Sequence, residues 1–178
     1  MSSRLPISDQ RDLVVSSLKS EGRLVVTAPT GSGKSTQLPQ ALLDSGAWPG
    51  QVLVLQPRRM AARMLARRVA EERGSRVGEE VGYRVRFDGM VSPATRIVFV
   101  TEGLLLRQLL SKPDLPGVSA LVFDEFHERN LAGDAALALA KRLTETSRPD
   151  LALLITSATL EAEPLRSYLG GCPLVEVE

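Results

Sequence analysis

Ala28-Pro29-Thr30-Gly31-Ser32-Gly33-Lys34-Ser35-Thr36 lies between a short apolar run, Leu24-Val25-Val26, and a helical pattern. A strand that feeds a glycine-rich loop and then a Lys-Ser pair at a helix start makes a phosphate cradle. Successive backbone N–H groups converge on phosphate oxygens, the helix N-terminus adds its positive dipole end, and Lys34 supplies a mobile charge. Thr30, Gly31, Ser32, Gly33, Lys34, Ser35 and Thr36 are therefore the expected phosphate contacts, with the Ser35 hydroxyl where such loops ligate Mg²⁺. Ala28 fills the first position of the usual G-x-x-x-x-G-K-[ST] pattern, small enough to permit the turn. A glycine-rich turn with a stray lysine is the bland alternative.

A second stretch fits the same chemistry: Leu121-Val122-Phe123-Asp124-Glu125-Phe126-His127-Glu128-Arg129. Three apolar residues and then two acids describe the metal- and water-handling half of a phosphate-loop site. Ligands of open α/β sheets bind just beyond the carboxyl ends of the strands. Asp124 is placed to hold Mg²⁺, and Glu125 to orient or deprotonate a water that attacks the γ-phosphorus. An isolated acidic pair would more often be a solvated turn after a buried strand.

The chain's 178 residues suffice for one α/β domain and are too few for two. Its composition, 43% hydrophobic and 24% charged, is that of a soluble globular protein. No apolar run reaches the roughly 18–20 residues of a membrane span, and the first thirty residues show no secretory leader. A single cysteine, Cys172, excludes an internal disulfide, so a cytoplasmic location is expected, with Cys172 a packing residue. Residues 58–107 hold eleven arginines and six acids, a local +5 in a chain of net +1. Such a concentration suits a polyanion. Aromatic content of 4% argues against a base-stacking platform and for contacts to a sugar-phosphate backbone.

Apolar β-rich runs alternate with helical stretches, the pattern of βαβ units around a mostly parallel sheet. Strands are expected at 23–28, 51–56, 96–101, 119–125, 151–157 and 173–177. Helices are expected at 8–20, 34–44, 59–73, 102–111, 133–146 and 161–169. Residues 74–95 read as a hairpin or excursion around Val81–Phe87, and residues 1–7 as a loose leader. In the helix after Pro57, Arg59, Arg63 and Arg67 share a stripe about 80° wide, while Ala61, Leu65 and Val69 form a second, core-facing one. Arg68 lies about 100° from Arg67, beside the apolar stripe. A merely solvated basic face is the alternative for these arginines.

Further segments then line up: Gln56-Pro57-Arg58-Arg59-Met60-Ala61-Ala62, Gly82-Tyr83-Arg84-Val85-Arg86-Phe87, Thr101-Glu102-Gly103, Asp124-Glu125-Phe126-His127 and Ser157-Ala158-Thr159. With the phosphate loop, in this order, they resemble the superfamily 2 helicases of the DEAH/RHA group. Leu5-Pro6-Ile7, and Phe126 where the group's name has Ala, look most like its bacterial HrpB-type branch. The resemblance implies a RecA-like domain that binds ATP and Mg²⁺ and works on single-stranded nucleic acid, RNA more than DNA. It implies phosphate and metal contacts at Lys34 and Ser35, a metal carboxylate at Asp124 and a catalytic base at Glu125. His127 would link the nucleotide to Ser157-Ala158-Thr159, the segment that couples hydrolysis to domain movement. Arg58, Arg59 and Thr101 would touch the nucleic-acid backbone, and Arg68 would stack on the adenine.

The group's second RecA-like domain, which supplies arginines to the γ-phosphate, has no counterpart after Ser157. The chain is thus expected to be residues 8–178 of a first motor domain whose partner domain lies elsewhere in a longer protein. A phosphate-loop kinase or small NTPase is the rival reading, though no arginine-rich lid follows residue 130. A non-catalytic nucleic-acid binding module is a third, opposed by the presence together of Lys34, Asp124 and Glu125.

Overall fold

The computed structural model describes residues 5–158 and 162–177. Thr159, the leader residues 1–4 and the first residue of the helix expected at 161–169 lie outside them. Among the described residues eight strands form one sheet: β1 Arg23–Thr27, β2 Gln51–Gln56, β3 Val81–Val85, β4 Asp88–Met90, β5 Ile97–Thr101, β6 Val118–Phe123, β7 Ala152–Ser157 and β8 Leu174–Glu176. The α-helices described with them are α1 Arg11–Glu21, α2 Lys34–Asp44, α3 Arg59–Glu72, α4 Glu102–Ser111, α5 Leu131–Glu145 and α6 Glu163–Tyr168. The strand order is β4-β3-β5-β2-β6-β7-β1-β8, and every pair is parallel except the β3–β4 hairpin.

Helices cover both faces, which explains why the central strands read as unbroken apolar runs. Along β2, Val52 and Val54 face one core while Leu53 and Leu55 face the other. The same alternation sends Ala120 and Val122 of β6 to the first core and Leu121 and Phe123 to the second. Val14, Leu18, Leu38 and Leu42 bring α1 and α2 onto the first core; Leu105, Leu109, Ala136 and Leu137 bring α4 and α5 onto the second. Each fully buried aliphatic contributes about 1.5–3 kcal/mol, so these layers fix the sheet order and with it the ends where the site forms.

Three expectations are corrected. Leu5–Ile7 is no loose leader: Pro6–Gln10 forms a 3₁₀ turn and Ile7 is completely buried. The core stripe of α3 is Ala62, Ala66, Val69 and Ala70, not Ala61, Leu65 and Val69. Alanines let the helix axis approach the sheet closely, and the larger Leu65 packs at the edge, half-buried. The excursion at 74–95 includes two strands that extend the sheet, with Phe87 turning the hairpin at φ 66°.

Candidate nucleotide site

The cradle begins with geometry that only glycine tolerates. Gly33, the residue before α2, has φ 89° and Gly31 has φ 80°. A Cβ on Gly33 would stand 2.7 Å from Leu5 Cδ1 and 3.3 Å from Ile7 Cγ2. The Ile7 N–H also donates to the Ser32 carbonyl at 3.3 Å. The 3₁₀ turn thus backs the loop, and α2 starts directly at Lys34 with its N-terminus toward the carboxyl end of β1. Ser32 Oγ is buried with no protein partner, as is Thr27 Oγ1 at the end of β1. A buried hydroxyl left unpaired costs about 1–3 kcal/mol, and an anionic oxygen in the loop would satisfy Ser32. The residues present therefore fit a phosphate.

The acidic tip meets this loop. Lys34, almost wholly buried, places Nζ 2.9 Å from Glu125 Oε1. Glu125 sits in the left-handed region at φ 51°, a conformation costing about 1–3 kcal/mol for a side chain of this kind. Its backbone is held on both sides: the Phe126 N–H donates to the Thr156 carbonyl at 2.9 Å and the Glu128 N–H to the Glu125 carbonyl at 2.9 Å. Asp124 is 2% exposed, and both its oxygens accept buried hydrogen bonds, Oδ2 from Gln56 Nε2 at 2.5 Å and Oδ1 from Thr156 Oγ1 at 2.5 Å.

His127 bridges two segments. Its Nδ1 accepts the Ala158 N–H at 3.2 Å, which leaves Nε2 as the nitrogen carrying hydrogen, 3.3 Å from Glu125 Oε2. The imidazole therefore ties the acidic tip to the backbone at Ala158; Thr159 lies outside the described residues. Ser157 is buried at the end of β7.

Arg68 reaches the same pocket from α3. A cavity of about 250 Å³ is lined by Leu5, Gly31, Gly33, Lys34, Ser35, Thr36, Arg68, Glu72 and Glu125. Arg68 Nε donates to Glu72 Oε1 at 2.6 Å, and Gln37 and Gln40 each donate to Glu72 Oε2 at 2.9 Å. Burial pushes the Glu72 carboxyl up, but the Arg68, Gln40 and Gln37 hydrogen bonds and the Arg68 charge together hold it below the usual carboxylate range. A larger cavity, about 600 Å³, adjoins Phe126, His127, Arg129 and Ser157 on the other side of the tip. It shares no residue with the phosphate loop, whereas the smaller cavity is lined by Gly31, Gly33, Lys34, Ser35 and Thr36 of it.

Arg58 and Arg59 are exposed at the start of α3, just past β2, and Thr101 ends β5. Gln56 and Thr101 are register partners across the β2–β5 pair, so all three expected nucleic-acid contacts sit at the carboxyl ends of two adjacent interior strands. Arg58 pairs there with Glu128 at 2.9 Å. Among the described residues no cluster of three or more His, Cys, Asp or Glu forms a metal cage. Ser35 and Asp124 bring one hydroxyl and one carboxylate, the kind of oxygen donor set that a hard cation takes beside phosphates and water. Residue patterns miss Gln56, Thr156 and Glu72 as parts of the site. A polar side chain at the end of an otherwise apolar strand was the available signal for Gln56 and Thr156.

A parallel sheet with a lysine-bearing phosphate loop against an acidic strand end defines a phosphate-loop NTPase domain of the RecA-like kind. The DEAD/DEAH box helicase family model matches residues 8–167, and the chain belongs to that family. It is 43% identical over 173 residues to the ATP-dependent RNA helicase HrpB of Escherichia coli, covering 97% of this chain and 21% of that protein. It is 41% identical over 181 residues to the probable ATP-dependent RNA helicase DHR2 of Saccharomyces cerevisiae, covering 100% and 25%. The crystal structure of the Escherichia coli DEAH/RHA helicase HrpB superposes with TM-score 0.94 at 42% identity over 98% of this chain and 22% of that one. The chain thus spans a quarter or less of the length of these relatives.

Proposed function

We propose that this domain is the first RecA-like half of an ATP-dependent RNA helicase motor, coupling ATP hydrolysis to movement along single-stranded RNA. The observation that carries the reading is the 2.9 Å contact between Lys34 and Glu125, which joins the phosphate loop to the acidic tip. Ser35 and Asp124 would hold Mg²⁺, which when bound neutralises charge on the phosphates. Lys34 and Glu125 now compensate each other; a triphosphate offers Lys34 a stronger anionic partner and frees Glu125 toward water. Glu125 then accepts the proton of the attacking water as its oxygen bonds the γ-phosphorus and the bond to the leaving ADP oxygen breaks. His127 holds Glu125 in place, and the planar guanidinium of Arg68, held at Nε by Glu72, is suited to stack on the adenine.

Arg58, Arg59 and Thr101 line the strand ends proposed for the RNA backbone, and a second RecA-like domain of the longer protein would close over the nucleotide. A lone buried Cys172 agrees with a cytoplasmic setting; among the described residues no helix is long and apolar enough to cross a membrane. Phosphate release by the full-length protein, with and without RNA or DNA, tests the proposal. RNA should accelerate turnover. Turnover indifferent to any nucleic acid, with phosphate delivered to a small acceptor, would instead establish the kinase reading.

A further inference from the structure

Asp124 stands one residue beyond β6, and polar side chains at the ends of both neighbouring strands close on it. Gln56 ends β2 on one side and Thr156 lies one residue from the end of β7 on the other. Gln56 and Asp124 are 2% exposed and Thr156 is fully buried, so water does not share in these bonds. A buried carboxylate without such donors is costly, and with one donor per oxygen its plane is fixed. The Asp124 N–H also donates to the Leu55 carbonyl at 3.2 Å, a backbone bond to the residue before Gln56.

The two grips lead to different places. Thr156 is followed by Ser157 and Ala158, the segment that His127 contacts. Gln56 is followed by Pro57, Arg58 and Arg59, where the chain leaves the sheet and exposes two arginines. Pro57 fixes its own φ, so the backbone between the buried Gln56 and the exposed Arg58 has one soft dihedral fewer. Gln56 is therefore the hydrogen-bond partner of Asp124 that lies nearest these arginines along the chain.

Resting on the function proposed above, we infer that Gln56 is a positioning residue that reports nucleic-acid engagement at Arg58–Arg59 to the metal carboxylate, whereas Thr156 orients the same carboxylate without receiving that report. Gln56→Met keeps the side chain's length and removes the donor; Thr156→Val does the same on the other side. Both variants of the full-length protein should raise the Mg²⁺ concentration for half-maximal ATPase by about 10- to 100-fold, the usual effect of removing a carboxylate's hydrogen-bond partner. Gln56→Met alone should also cut the ratio of RNA-stimulated to RNA-free turnover by about tenfold, a typical coupling between sites, with RNA affinity in nucleotide-free protein unchanged. An unchanged ratio, or equal loss in Thr156→Val, overturns the relay.

Hydrogen exchange on wild-type protein with RNA but neither nucleotide nor Mg²⁺ needs no variant to fold. Protection at residues 124–126 should change on RNA binding; none there, with change confined to residues 57–63, contradicts the inference. A wild-type protein that binds no RNA at all would instead fail the function proposed above, and is seen as such in the same measurement.

Discussion

Glu102 is a buried acid in a place where the sequence shows only a helix start. Burial pushes its carboxyl above the usual carboxylate range, only partly offset by the Asn130 amide that donates to it, and Asp134 and Glu128 add repulsion. A raised folded-state value means that the contribution of Glu102 is fully present below its unfolded value of 4.5 and is lost as pH rises through the folded one. Glu102→Gln keeps an acceptor for Asn130 and carries no charge. Its melting temperature should match wild type near pH 4 and exceed it progressively toward pH 7; a gap that stays constant across pH-resolved thermal melts would contradict this. Glu72→Gln tests the support of Arg68 in the same spirit. Weakening that tether should raise the nucleotide dissociation constant by about 1.5- to 5-fold, the worth of a partly exposed ion pair, measured by fluorescent-nucleotide titration.

At the scale of elements, the boundaries that patterns locate well are those with chemical punctuation. The starts of β2's successor α3 after Pro57 and of α2 after Gly33 coincide with the expected positions, as does α4 over residues 102–111. α5 starts at Leu131, two residues earlier than expected, because Asn130 Oδ1 accepts the Gly133 N–H and caps it. Its side chain is shared with Glu102, a tertiary tie that no local pattern displays. The stripe of α3 is misjudged for a related reason: hydrophobicity favours Leu65, while close approach to the sheet favours Ala62 and Ala66. The β3–β4 hairpin is legible only as an irregular segment, since Gly82, Arg84 and Gly89 weaken its alternation. Gly82 is required there, because a Cβ would collide with the Met90 carbonyl oxygen. Gly82→Ala should lower stability by about 1–3 kcal/mol, the cost of overpacking, read as a lower urea midpoint; an unchanged midpoint would mean the hairpin shifts freely.

For the molecule as a whole, the sheet with helices on both faces and the joining of the loop at Lys34 to the tip at Asp124–Glu125 follow from motif order, because residues at strand carboxyl ends converge whatever the loops do. What holds the tip, Gln56 and Thr156, depends on which strands neighbour β6, and strand order is written in packing rather than in spacing. In the function proposed here a second RecA-like domain supplies the arginines that complete charge stabilisation, and an arginine delivered across an interface supplies about 10³–10⁵ in rate. The isolated domain should therefore bind ATP yet turn it over slower than the full-length protein by about that factor, as followed by phosphate release at saturating RNA; equal rates would show the site to be complete in one domain. The most direct test of the joined site is a paired measurement on Glu125→Gln in the full-length protein with RNA: ATP affinity together with single-turnover hydrolysis. Affinity should stay within about threefold of wild type while hydrolysis falls by about 10²–10⁴-fold, the range for loss of a general base. Hydrolysis at the wild-type rate would contradict the assignment of Glu125 to the water and, with it, the site shared by loop and tip.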